Sequence, residues 1–311
     1  GKEMLKITRL SAKFDIIPLF NGKITISSVQ LFGFNINLNK PAPHMEPNFK
    51  FVLDAFASKD TVKTKKDIDL RINSILIRRG KLSYDVLSEE ETPGKFNPQH
   101  IKLHNIIANI SLKALQNDSI NAAIKRLSVD EQSGFELRKL SLKVIANNKG
   151  MKIENFAIEM PGTEMKMDTI RMEYDSLKAL NHFADNVRFS FRTLPSHVTL
   201  NDISAFVPAL SNFKEKLDLN IDVEGTLNQL NCRTLEINAG DKFRLKGDVS
   251  LQDLSRPQDA YVYGHLANLS ANKEGIGFLV RNLSPHYNGV PPVLQHLGNT
   301  SFHGEISGYF T

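Results

Sequence analysis

His100 and His104 are the residues best spaced to share a metal ion. Four positions apart, they lie on one face of either a strand or a helix. Zinc needs a third protein ligand, and nothing in the local pattern nominates one, so the pair reads as two exposed histidines beside a turn. His286, His296 and His303 lie in a loop-rich stretch and read the same way. Asp218, Asp222 and Glu224 share a parity that lines them up on the wet side of one strand. A glycosidase-type pair needs surroundings that drive two carboxyl pKa values apart, and nothing marks such a pair here. Cys232 is the single cysteine, set in the alternating run Leu230–Thr234, and reads as a packing residue. One cysteine excludes an internal disulfide framework and a cysteine-rich zinc site. The chain has no Gly-x-Ser-x-Gly elbow and no Walker loop. No catalytic residue, metal or cofactor is expected, and the chain reads as non-enzymatic.

Two basic doublets, Arg78–Arg79 and Arg138–Lys139, have the chemistry to meet anionic lipid headgroups. Solvated charge beside a turn is their default reading. The sequon Asn268–Ser270 matters only in a eukaryotic secreted setting, which nothing else supports.

The elements that must position these residues are strands. Leu217, Leu219, Ile221 and Val223 alternate with Asp218, Asn220, Asp222 and Glu224, a strand with one apolar and one wet face. Val187, Phe189 and Phe191 repeat the pattern, as do Phe243, Leu245 and Val249 around Gly247, and Phe302, Ile306 and Phe310. About fifteen such segments occur, with Gly or an Asn/Asp turn between many of them. Four change parity partway along: at Ser27–Ser28, Asn73–Ser74, Arg138–Lys139 and Glu154–Asn155. Either a β-bulge keeps the apolar set on one side and bends the strand, or a turn breaks it at the polar doublet. The recurrence of the device favours bulges in a curved sheet. Glycines at 22, 80, 134, 150, 162 and 240 open strands after turns, giving a degenerate strand–Gly turn–strand repeat.

Short helices interrupt the strands. Asn48 is placed to cap Phe49, Val52, Leu53 and Phe56, and Asp202 to cap Ile203, Phe206, Val207 and Leu210, with Pro208 forcing a kink. Ile276, Leu279, Val280 and Leu283 have helical spacing, and Pro291–Pro292 can begin a turn ending at Gly298. Each helix either plugs the core or closes the end of an open groove. Lys40–Pro47, Lys59–Lys66 and Glu89–Pro98 read as connections, the last as a hairpin tip, and none separates domains. The 311 residues read as one continuous β-sheet region, with a possible subdivision near 175.

Composition sets outer limits. A hydrophobic share of 41% excludes a wholly disordered chain, and a net charge of +5 lacks the electrostatic footprint of a nucleic-acid binder. No apolar run approaches the roughly 18 residues that span a bilayer. No Trp and six Tyr argue against sugar stacking. The cysteine usage fits a reducing compartment or a bacterial envelope protein that does without disulfides. The chain starts at Gly1 in mid-pattern, as an excised piece of a longer protein does.

The opening segment Ala12–Leu38 (AKFDIIPLFNGKITISSVQLFGFNINL) runs strand, Pro-Leu turn, Gly, strand, turn, strand. It resembles the start of the AsmA-like envelope proteins, in which this pattern follows an inner-membrane anchor helix. Ile72–Asp85 (INSILIRRGKLSYD) resembles that family's recurrent strand–Gly turn–strand element. Ser133–Phe135, Asp202–Pro208 and His303–Phe310 resemble the TamB-type members of Bacteroidetes. The anchor helix and the carboxy-terminal domain of that family are missing from this sequence.

The resemblance implies a mainly β fold: a long curved antiparallel sheet, groove-like as in a taco shell, with a few short amphipathic helices. It implies a non-enzymatic periplasmic segment, anchored to the inner membrane in the full-length protein, that binds or conducts phospholipid between inner and outer membrane. The expected partners are phospholipid acyl chains, an outer-membrane barrel of the TamA type and the inner membrane, with no nucleic acid. Expected groove-lining residues are Val187, Phe189, Phe191, Leu217, Leu219, Ile221, Val223, Phe243 and Leu245. The alternative function is a scaffold for outer-membrane protein assembly that accepts client strands at its edges. An enzyme or glycan-binding β protein is a third reading.

Overall fold

A computed structural model describes residues 3–15, 24–51, 54, 70–116, 119–256, 258–283 and 298–309. The protein is mainly β, with 62% of residues in strands and 11% helical. The expected helix residues Val52, Leu53 and Phe56, the Lys59–Lys66 loop, His286, the Pro291–Pro292 turn and His296 lie outside the described residues.

Two compact units divide at Ser141/Leu142. In the amino-terminal unit the strands are β1 (Leu5–Asp15), β2 (Ile24–Lys40), β3 (Leu70–Val86), β4 (His100–Gln116) and β5 (Ser119–Glu131). They hydrogen-bond in sequence order. All these pairs are antiparallel except β2 with β3, which makes the sheet mixed rather than purely antiparallel. β6 (Glu136–Ala146) spans the division. The carboxy-terminal unit holds β7 (Gly150–Glu159), β8 (Glu164–Lys166), β9 (Ile170–Glu173), β10 (Arg188–Arg192), β11 (Ser196–Val198), β12 (Leu217–Thr226), β13 (Gln229–Asn238), β14 (Phe243–Gln252), β15 (Tyr261–Ala271) and β16 (Thr300–Tyr309). Its helices are α1 (Phe183–Asn186) and α2 (Lys273–Leu283). Strands β12 to β16 form an antiparallel meander. β7 is flanked by the short β8 and β9, and β12 by β11 and β10.

The parity changes resolve as continuous strands rather than turns. β2, β3, β6 and β7 each run through their polar doublet without a break. At the first doublet Lys13 faces Ser28 and Phe14 faces Ile26, so Ser27 is the extra residue. In β3 the register with β4 shifts between Ile72 and Ile75. Asn155 in β7 adopts φ of 55°. The same device recurs farther along the amino-terminal sheet. Gly33, Arg79 and Asn105, on adjacent strands, have φ of 66°, 56° and 54°. The apolar set changes parity at each: Leu31 to Phe34, Ile77 to Leu82, and Leu103 to Ile106. A left-handed residue in each strand thus returns the apolar side chains to one face.

The helices differ in part from expectation. α2 covers the Ile276–Leu283 stretch, and the Asn272 side-chain oxygen accepts the Gly275 N–H at 2.8 Å, a standard N-cap. Asn48 caps nothing among the described residues. Its Oδ1 accepts from the Asn39 N–H and its Nδ2 donates to the Asn37 carbonyl, so it clamps the end of β2. The expected helix after Asp202 is two short 3-10 turns, Leu200–Ile203 and Pro208–Leu210. The Asp202 carboxylate accepts the Gly162 N–H at 2.9 Å instead of capping, and Pro208 lacks the N–H that would continue the helix. Among the described residues no helix is long and apolar enough to cross a membrane.

Candidate functional site: an apolar sheet face

Residues directly opposite across an antiparallel pair project to the same side, so the register of β12 to β16 defines rows of side chains. One row runs Leu219, Ile237, Leu245, Leu269, Phe302. A second runs Phe191, Val223, Cys232, Val249, Gly264, Ile306 from β10 across six strands. Between them lies Ile221, Leu235, Gly247, Leu266, Gly304. No charged side chain interrupts these rows, and together they make one apolar face across the carboxy-terminal unit.

The rows stay aligned because bulges absorb the parity changes. In β13, Cys232 faces Val223 while Thr234 faces Asp222, leaving Arg233 as the extra residue. In β15, Leu266 faces Gly247 and Asn268 faces Lys246, leaving Ala267 as the extra residue. Without them Leu235, Ile237 and Leu269 would turn to the wet side.

One end of this face is covered. Val198, Leu217, Ala239, Phe243 and Ala271 pack with Ile276 and Phe278 of α2, and Met165, Leu200, Phe213, Leu219, Ile237, Leu279 and Val280 surround them. The Phe278 ring stacks on Phe243 at 5.7 Å and meets Phe213 edge-on at 5.6 Å. Away from α2 the burial is uneven: Val223, Cys232 and Leu266 are buried, Ile221, Leu235, Leu245, Val249 and Leu269 are half-buried, and Phe302 and Ile306 are 44% and 41% exposed.

The expected lining residues fall into four environments. Val187 is wholly buried beside α1. Leu217 and Phe243 belong to the cluster under α2, and Val223 is buried in the sheet. Phe189, Phe191, Leu219, Ile221 and Leu245 are half-buried on the sheet, where Phe189 stacks between Phe183 and Phe191 at 6.1 and 6.4 Å. Leu235, Ile237, Val249, Leu266, Leu269, Phe302 and Ile306, none of them an expected lining residue, complete the face. The parity breaks at Arg233–Thr234 and Ala267–Asn268 were the signal for most of them.

The opposite face is charged and internally paired. Asp222 takes a bond from Arg192 at 2.7 Å, and Glu224 binds both Arg188 and Arg233. Glu236 accepts from Asn220 and pairs with Lys246, each at 2.8 Å. The cations hold Glu224 and Glu236 below the ordinary carboxylate range, Arg188 foremost for the first and Lys246 for the second. A depression of about 650 Å³ on this side is lined by His197, Asp218, Asn220, Glu236, Arg244 and Lys246. Cys232 lies on the apolar side, where burial pushes its thiol pKa up and its Sγ–H donates to the Thr234 carbonyl.

His100 and His104 do not converge. His100 Nδ1 lies 3.1 Å from Asp85 of β3, whereas His104 turns to Asp130 of β5 at 3.8 Å. His100 is buried rather than exposed, because Asp85 and the Glu89 carbonyl supply its hydrogen bonds. Arg79 lays its guanidinium over the Phe32 ring at 5.2 Å.

No family model, curated protein or solved structure matches the chain.

Proposed function

We propose that this chain is a non-enzymatic, lipid-binding segment of a bacterial envelope protein of the AsmA/TamB type, taking phospholipid acyl chains on the apolar face of β12 to β16. One observation supports the reading: three apolar rows lie side by side, and among the described residues five of their aliphatic side chains away from α2 are only half-buried while Phe302 and Ile306 are exposed. An open aliphatic surface needs a cover, and each acyl CH₂ buried against it gains about 0.8 kcal/mol. The charged, self-paired opposite face suits contact with water. In this reading the segment lies in the periplasm, tethered to the inner membrane by an anchor outside this sequence, and passes lipid toward an outer-membrane barrel of the TamA type. Native mass spectrometry of protein incubated with phosphatidylethanolamine vesicles tests it. Phospholipid adducts on the wild type that fall in Leu245→Glu and persist in Lys246→Gln are expected, and adduct levels equal in all three overturn it.

The edge of the meander supports a second reading, as an assembly scaffold. β16 ends the strand order and bonds only to β15 among the described strands, and its Phe302, Ile306 and Tyr309 are exposed. Such an edge can accept a client strand by augmentation. Retention of unfolded outer-membrane barrel precursors by immobilised protein, lost on Ile306→Pro, is expected on this reading, and failure to retain any counts against it.

A further inference from the structure

We propose that Asp85, Glu91 and His100 form a binding site for zinc or a similar borderline divalent cation in the amino-terminal unit. Asp85 lies at the end of β3 and faces His100 at the start of β4, and Glu91 comes from the connection between them. One ligand atom from each lies within 4.8 Å of the other two. The His100 imidazole is buried, its side chain 5% exposed.

The hydrogen bonding of that imidazole points to the ion. Nε2 lies 3.0 Å from the Glu89 carbonyl oxygen, which can only accept, so Nε2 carries a proton. Nδ1 lies 3.1 Å from Asp85 Oδ1, and an ionised carboxylate also only accepts. Nδ1 and Asp85 Oδ1 thus converge on one small space, which a divalent cation bound by both would fill. A ring N–H given to a backbone carbonyl is the usual outer support of a metal-bound histidine, because it fixes the tautomer and aims the other nitrogen.

The separations suit zinc. Two ligands about 2.0–2.1 Å from a tetrahedral zinc lie about 3.3 Å apart, close to the Asp85–His100 spacing. Glu91 has further to move, but its side chain is 55% exposed and its partner Lys102 is a surface residue that water can satisfy. One imidazole nitrogen with two carboxylates suits zinc better than calcium or magnesium, which take oxygen ligands in larger number. The connection is already held in place: the Val86 N–H bonds the Gln99 carbonyl, the His100 N–H bonds the Asn97 carbonyl, and the Gln132 amide holds the His100 carbonyl at 2.7 Å. The ion would clip the turn to both strands and leave one coordination position for water.

Cobalt(II) titration of EDTA-stripped protein, followed by zinc competition, tests the site. One cobalt per chain with visible d–d absorption, bleached by zinc, is expected. Glu91→Gln, at an exposed position that leaves the fold intact by circular dichroism, should weaken binding at least about tenfold, and His100→Gln should abolish it. Glu90→Gln should bind as the wild type does. No absorption band in the wild type, or equal affinity in wild type and Glu91→Gln, means a His–Asp ion pair only and overturns the proposal.

Discussion

The ring of Phe34 occupies the space that a side chain at Gly80 would need. A β-carbon there would lie 2.4 Å from Phe34 Cζ and 3.0 Å from Ile106 Cβ. Phe34 is 8% exposed and lies on β2, one strand away from Gly80 on β3. A buried aromatic ring must shift to make room for that carbon. Gly80→Ala should therefore destabilise the protein by about 1–3 kcal/mol, more than the few tenths to 1 kcal/mol gained by restricting the unfolded chain. Urea unfolding followed by circular dichroism measures this, and an unchanged midpoint would show that Phe34 can move.

Under α2, truncation works in the opposite sense. Phe278 is 4% exposed and touches Phe213 and Phe243, so Phe278→Ala should cost about 3–5 kcal/mol. Asn272→Ala removes the cap of the same helix and should cost about 1 kcal/mol. Denaturant midpoints in that rank order are expected, and an Asn272→Ala effect as large as that of Phe278→Ala would mean that the helix start, not its packing, dominates.

Much of this architecture is legible in the sequence, for a physical reason. A strand with one wet face must alternate, so Leu217–Val223 announces both its element and its apolar side. The bulges at Ser27 and Asn73–Ser74 were legible because a polar doublet interrupts otherwise strict alternation. Those at Arg233 and Ala267 were harder, because Cys232 and Thr234 blur the pattern in one strand and the small Gly264 and Ala267 in the other. Asn48 and Asp202 misled for a different reason. Both side chains can cap a helix, but the Asn39 N–H for one and the Gly162 N–H for the other are distant in sequence and compete only once the chain has folded. The His100–Asp85 pairing was likewise invisible, because it depends on the register of β3 against β4.

Glu154 gives a pH-dependent prediction. Lys143 at 2.7 Å and Lys152 hold its carboxyl down from an ordinary 4.5 to about 2. A group with a depressed folded-state pKa stabilises the fold above its unfolded pKa and loses that contribution as pH falls through the folded value. The wild type should thus be more stable than Glu154→Gln at pH 6, with the gap closing between about 4.5 and about 2. Solvent exposure makes the gap small and screenable, so 1 M salt should shrink it. Paired urea titrations at pH 6 and pH 2 check this, and a gap that stays constant with pH would remove Glu154 as the source.

Cys232 should react slowly. Burial raises its thiol pKa, and only the thiolate attacks disulfide reagents. Native protein at pH 8 should release thionitrobenzoate from Ellman's reagent far more slowly than protein in 6 M guanidinium. Equal rates would place the thiol at the surface and break the row from Val223 through Cys232 to Val249.

The apolar rows make the last prediction quantitative. Leu245 sits at the centre of the row from Leu219 to Phe302, half-buried and clear of the cluster under α2. A carboxylate there would forfeit contact with about two acyl methylenes, each worth about 0.8 kcal/mol, which is roughly tenfold in affinity. Leu245→Glu should therefore weaken phospholipid binding about tenfold, whereas Lys246→Gln, the next residue on the opposite face, should leave it unchanged. The comparison separates the two faces of one strand at adjacent positions, and a folding control separates lost binding from lost structure. Fluorescent-lipid titration with circular dichroism on the same samples reads both quantities. Equal weakening by the two variants would place the lipid on neither face.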